Sequence, residues 1–295
     1  MTKNWHSDCQ TLLKSARDAV VWINDPENDS IVGLEKRGHD RRLRRLVTEA
    51  TKLDNSVDKP MCVGIFGPSQ AGKSYLVSML AREKAEKGKE AKPLMARFDG
   101  LDEPVDFLTD INPDGEREST GIVTRFSLSQ KTSPEGFPVA VRLLSEIDLL
   151  KVLGNTYFLD SDVKTIVSPT SEEISDVLAL ARSRQRDSKH DDNLLTNEDI
   201  WDLQEYFERA FEGKPSIDIL RGYWDEAANI APNLSIEHRA ELFSVLWGRL
   251  APFTGLYSKL TNALKKLGFA ADAFCKMDAL LPKTKSIIDV MTLTG

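Results

Sequence analysis

The sequence predicts an α/β fold: a phosphate-loop core whose sheet is incomplete or interrupted, with helices before it and a large all-α part after it. Three observations carry that expectation. A glycine-rich loop lies between a short apolar run and a helix-forming stretch within residues 61–86. Two amphipathic segments precede it. Beyond Pro169 the apolar residues recur almost entirely at helical spacing. The 295 residues suffice for one large domain or two smaller ones. The expected boundaries are N-terminal helices at 1–58, a nucleotide-type core at 59–168, a helical domain or insert at 169–282 and a return strand at 283–295.

In the first segment Trp5, Leu12, Leu13, Ala16, Val20 and Ile23 fall on one helical face, and "NDPENDS" ends that helix. A second helix is expected from Asp40 to Lys52, with Leu43, Leu46, Val47, Ala50 and Leu53 facing inward. Its opposite face carries Arg41, Arg42, Arg44 and Arg45, read as a solvated face or as a docking face for anionic lipid or an acidic partner.

From Lys59 the pattern changes. "MCVGIF" reads as a short buried strand, Lys73 to Glu86 as a helix, and "PLMARF" (93–98) as another strand. The acidic stretch 99–120 is punctuated by Gly and Pro, and loops of that length are usually functional or disordered. "GIVTRFSLSQ" and "GFPVAVRLL" flank "KTSPE" and predict an antiparallel hairpin. Ser145, with Asp148 three residues on, caps a helix over Glu146–Phe158.

Further along, Thr170 with Glu173 and Thr196 with Asp199 mark helix starts. One core stripe is Ile174, Val177, Leu178 and Ala181; another is Phe253, Leu256, Tyr257, Leu260, Leu264 and Leu267. Trp201, Trp224 and Trp247 sit in amphipathic helices as core or interface anchors. "SIIDVMTLTG" closes the chain as a β-rich run.

A net charge of −7 argues against nucleic acid as the main partner, because phosphate neutralisation needs a surplus of Lys and Arg. Cys9, Cys62 and Cys275 are too few and too scattered for a disulfide framework or a zinc site, which points to a reducing compartment. The start lacks a secretory signal's apolar run, and no stretch approaches the ~20 apolar residues of a membrane-spanning helix. A cytoplasmic location is expected, with peripheral membrane contact still open. The four histidines show no metal-ligand spacing.

Gly67-Pro68-Ser69-Gln70-Ala71-Gly72-Lys73-Ser74 fits the phosphate-loop pattern G-x-x-x-x-G-K-[ST] in full. The glycines let backbone N–H groups turn inward onto phosphate oxygens, and the following helix points its positive end at the anion. Lys73 neutralises the β- and γ-phosphates, and Ser74 offers a hydroxyl to Mg²⁺. The loop alone does not separate GTPases, ATPases and small-molecule kinases.

"ESTGIVTRFSLS" (118–129) resembles the switch I region of dynamin-like GTPases, as does the order of helices, loop, switch-like segment, helical stretch and final strand. The resemblance implies that Thr124 contacts Mg²⁺ and the γ-phosphate, and that Asp289 is the metal-proximal acid. Three features depart from that pattern. Asp289 is followed by Val290-Met291-Thr292 rather than by x-x-Gly. The family's Gln-then-Ser order is here Ser69-Gln70, leaving Gln70 as the residue that would order water. "TKLD" (51–54) and "CKMD" (275–278) resemble a guanine-reading element only in letters. Arg117 and Arg125 flank the switch-like threonine, as surface residues or as an internal arginine finger.

"FGPSQAGKSYLVSMLA" (66–81), "STGIVTRFS" (119–127) and "VRLLSEIDLLKVLGNTYF" (141–158) resemble the N-terminal signature of the bacterial virulence factor family labelled SrfC. The resemblance implies a bacterial setting and an N-terminal portion of a longer protein; the guanine reader is expected beyond residue 295, where the nucleotide sheet would continue.

The expected function is nucleotide binding with Mg²⁺ and slow or conditional hydrolysis, GTP favoured over ATP. Two alternatives stand beside it. One is an ATP-using enzyme, for which "ARSRQR" (181–186) would serve as a lid. The other is a hydrolysis-deficient, nucleotide-gated interaction protein that uses its helices to bind a partner or itself.

Overall fold

The computed structural model describes residues 4–66, 71–82, 92–111, 123–127, 132–160, 167–185, 194–277 and 290–292. Along the chain, α1 (Trp5–Asn24), the single turn α2 (Asp29–Val32) and α3 (Lys36–Val57) precede the glycine-rich loop, and α4 (Lys73–Ala81) follows it. Next come β1 (Met95–Ala96), β2 (Val105–Asp106), β3 (Val139–Arg142) and α5 (Glu146–Asn155). Helices α6 (Ser171–Ser183), α7 (Asn197–Ala210), α8 (Pro215–Ile219), α9 (Trp224–Ile230), α10 (Ile236–Phe243) and α11 (Ala251–Lys266) continue the chain, before β4 (Asp272–Cys275) and β5 (Val290–Thr292). The chain is therefore mostly helical, with small sheets. It divides into two units, each made of two stretches: Met1–Pro60 with Leu144–Phe269, and Met61–Leu143 with Ala270–Gly295.

In the helical unit α5, α6 and α7 begin with reciprocal caps. Ser145 Oγ accepts from the Asp148 amide at 3.1 Å while Asp148 accepts from the Ser145 amide at 2.9 Å. Thr170 with Glu173 and Thr196 with Asp199 form the same reciprocal pair, as the sequence predicts. These caps fix where each helix begins and therefore which residues face inward. Ile174, Val177, Leu178 and Ala181 are all buried. They join Leu150, Tyr157, Phe207, Trp224, Phe243 and Trp247 in one core.

The predicted α11 stripe is turned. Tyr257 and Thr261 are its buried residues, whereas Leu256 and Leu260 are exposed. The turn seats the Tyr257 hydroxyl beside a buried ion pair. Arg239 holds Glu146 through Nε to Oε1 at 2.7 Å and a second nitrogen to Oε2 at 2.9 Å, and donates to the Leu234 carbonyl at 2.7 Å. Tyr257 donates to Glu146 Oε1. Burial, reinforced by the Glu146 charge, pushes the Tyr257 hydroxyl well above its ordinary range.

α1 and α3 pair as a hairpin with a small core of its own, made of Leu13, Ala16, Val20, Val47 and Ala50. The Trp5, Leu12, Leu46 and Leu53 side chains, expected on the same inner faces, are exposed. The inner stripe is narrower because a two-helix hairpin buries a single seam.

The second unit holds the sheets. β1 pairs antiparallel with β2, Met95 opposite Asp106. β3, β4 and β5 form an antiparallel sheet in that order, with Val139 opposite Cys275 and Phe274 opposite Met291. Two expectations differ from this arrangement. The apolar run 61–66 makes no ladder: Met61, Val63 and Phe66 are each more than nine-tenths exposed. β3 pairs not with residues 123–127, which carry no strand, but with β4, far along the chain. Among the described residues every ladder is antiparallel, so the sheet of a phosphate-loop NTPase core is not what these strands form.

Candidate phosphate-binding site

All the predicted site residues fall within the second unit. Gly67, Ser69 and Gln70 lie outside the described residues, as do Asp289 and Arg117. The described part of the loop begins at Ala71, which is exposed.

Gly72 has φ +75° and ψ 16°, a left-handed conformation, and stands directly before α4. Its carbonyl accepts the Leu76 amide at 2.9 Å, so the helix closes its first turn on this glycine. Among the described residues no side chain caps α4. An α-helix leaves its first amides without intrahelical acceptors and carries a partial positive charge at that end. Lys73 and Ser74 follow at once, both half-buried in the first turn. An ammonium, a hydroxyl and a helix N-terminus thus occupy three consecutive positions. A β-carbon at Gly72 would meet nothing within 4 Å, so its backbone angle rather than crowding demands glycine there.

α4 packs on the turn Phe107–Ile111, which Asp106 organises by accepting from the Leu108 and Thr109 amides at 2.8 and 3.1 Å. Phe107 and Ile111 are buried in that turn. Phe126 meets Phe107 edge-on, ring centroids 4.7 Å apart. Thr124 therefore lies two residues from a side chain anchored on the same turn that supports α4. Thr124 itself is exposed, in a stretch without secondary structure. Val290, next to Asp289, opens β5.

Among the described residues no cluster of His, Cys, Asp or Glu could hold a metal ion. The two metal ligands expected from the sequence that fall among the described residues, Ser74 and Thr124, would offer neutral hydroxyl oxygens. They suit Mg²⁺, which takes few protein ligands and fills its octahedron with phosphate oxygens and water. On donor chemistry the two residues fit that ion; they would not by themselves retain a softer one.

Sequence reading missed two polar constellations, both in the helical unit. The buried Glu146–Arg239–Tyr257 group spans distant stretches of chain, and no local pattern marks it. The other is the pairing of the α3 basic face. Arg41 bonds Glu208, Arg44 meets Asp225 at 2.5 Å, Arg45 lies 3.2 Å from Glu205 and Lys52 lies 2.6 Å from Asp202. Matching acids at helical spacing on α7 was the available signal.

No helix among the described residues is long and apolar enough to cross a membrane. No curated protein and no solved structure matches the chain. The family described as putative bacterial virulence factor matches residues 19–295, nearly the whole length, and the chain belongs to that family.

Proposed function

We propose that the chain binds a nucleoside triphosphate with Mg²⁺ through residues 67–74, prefers GTP to ATP, and hydrolyses it slowly or conditionally. The observation that carries this reading is the left-handed Gly72 set at the start of α4, with Lys73 and Ser74 in the first turn of a fully matching loop. Gly67 and Gly72 would let the amides of Ser69, Gln70 and Ala71 turn inward onto phosphate oxygens. Lys73 neutralises the β- and γ-oxygens. Ser74 and Thr124 would hold Mg²⁺, whose role when bound is to withdraw charge from the phosphate oxygens. Gln70 would orient water, and Asp289, by its order along the chain, would be the metal-proximal acid.

The preference for GTP rests on the likeness of residues 118–129 to a dynamin-like switch I. A second reading has its own support: the Ser69-Gln70 order favours a nucleotide-gated interaction protein with negligible hydrolysis, docking a protein partner or another copy through its helical unit. The free state of Cys9, Cys62 and Cys275 suits a cytoplasmic setting for either.

Turnover assays with GTP and ATP, each against Lys73→Ala, separate these readings. GTP hydrolysis above the variant's background supports the first. Binding without turnover supports the second, and selective ATP turnover replaces both with an ATP-using enzyme.

A further inference from the structure

The α1–α3 hairpin is attached to the rest of its unit in an unusual way. Its own apolar seam is separate from the main core, and Trp201 of α7 is the side chain that packs against both. Around that anchor the attachment is charged. Arg17 forks onto Glu198 at 2.5 and 2.7 Å, and Arg41, Arg44, Arg45 and Lys52 meet Glu208, Asp225, Glu205 and Asp202. In all five pairs the base is on the hairpin and the acid on α7 or α9. Arg17, Arg41, Arg45 and Lys52 are each at least half-exposed, so dissolved ions reach these contacts.

The seam is also imperfectly satisfied. Thr48 and Thr51 on α3 and Trp201 on α7 each bury a polar atom with no hydrogen-bond partner among the described residues. Such atoms weaken an interface that must otherwise stay closed. Moreover, the hairpin is not continuous with the helices it rests on: the chain leaves it at Pro60 for the second unit and returns at Leu144. It can therefore part from α7 without breaking any helix.

We propose that the α1–α3 hairpin is a releasable strap, held on the acidic face of α7 and α9 by charge and opening as one piece while the main core stays folded. Release bares Glu198, Asp202, Glu205 and Glu208 together with Trp201. Hairpin opening needs nothing from the loop at 67–74 and stands whether or not that loop binds nucleotide.

Native-state hydrogen exchange on the full chain tests this, at low salt and at 1 M NaCl, where the screening length falls to about 3 Å. Amides of α1 and α3 are expected to lose on the order of tenfold or more in protection at high salt, in step with one another, while α6, α10 and α5 keep theirs. At low salt, Glu205→Arg is expected to reproduce the loss, and adding Arg45→Glu to restore protection. Hairpin protection that ignores salt, or that falls only together with the core helices, would overturn the proposal. Failure of the paired reversal to restore protection would likewise remove charge as the latch.

Discussion

At the scale of single residues, two glycines illustrate different constraints. A β-carbon on Gly248, at φ +56°, would sit 2.5 Å from the Val167 carbonyl oxygen and 2.7 Å from the Tyr157 hydroxyl. Those two groups are themselves paired: Tyr157 donates to the Val167 carbonyl at 2.8 Å and accepts from its amide at 2.7 Å. Gly248→Ala is expected to cost about 2–3 kcal/mol, from the left-handed backbone and the displaced hydrogen bonds, seen as a lowered Tm. Gly72→Ala meets no neighbour and should cost only about 1–2 kcal/mol from its left-handed backbone, a smaller fall in Tm than for Gly248→Ala, while weakening nucleotide binding. The buried ion pair gives a second contrast. Glu146→Gln leaves the Arg239 charge uncompensated in the core and should destabilise by about 3–5 kcal/mol in urea unfolding. Tyr257→Phe removes one hydroxyl and should cost about 1–2 kcal/mol. Comparable losses for the two would mean that the pair does not depend on Glu146 for its charge balance.

At the scale of elements, what the sequence revealed was local, and what it concealed was remote. Ser145 and Asp148 are three residues apart, as are Thr170 and Glu173, so the caps could be read directly. β3 and β4 find each other across the intervening helical chain, and no spacing rule reaches that far. The run 61–66 has a strand's composition, but a strand needs a partner edge, and composition does not supply one. Within the phosphate-loop motif the residue types and the start of α4 were legible from the glycines. The attachment of α3 to α7 was not, because each helix alone reads as an ordinary solvated face. That attachment carries a pH dependence at Asp202. Burial raises its carboxyl, but hydrogen bonds and charge from Lys151 and Lys52 outweigh burial and hold it below its usual value. A group depressed in the folded state contributes fully above its unfolded value of about 3.9 and loses that contribution as pH falls through the folded value. The stability difference between wild type and Asp202→Asn, about 1–2 kcal/mol near neutrality, should therefore shrink towards zero as the pH falls through the depressed folded value. A difference that stays constant with pH would mean that the carboxylate charge is not what Lys52 and Lys151 recognise.

At the scale of the whole molecule, chemistry and packing are divided between the two units. The helical unit holds the large aromatic core, the capped helices and the buried ion pair. The second unit holds the loop, the switch-like segment and short antiparallel sheets. A substitution in the loop should therefore alter ligand binding without disturbing the helical core. Membership of the virulence factor family rests on residues 19–295, and the glycine-rich loop within them is where nucleotide binding is proposed. The most direct measurement is equilibrium binding of a fluorescent guanine nucleotide, with and without Mg²⁺, to wild type and Lys73→Ala of matched circular dichroism. Saturable, Mg²⁺-dependent binding by wild type and loss of at least about tenfold in affinity in the variant is the expected result. Equal affinity of the two proteins, or no binding of any guanine or adenine nucleotide by folded wild type, would contradict the assignment of this loop as a nucleotide site.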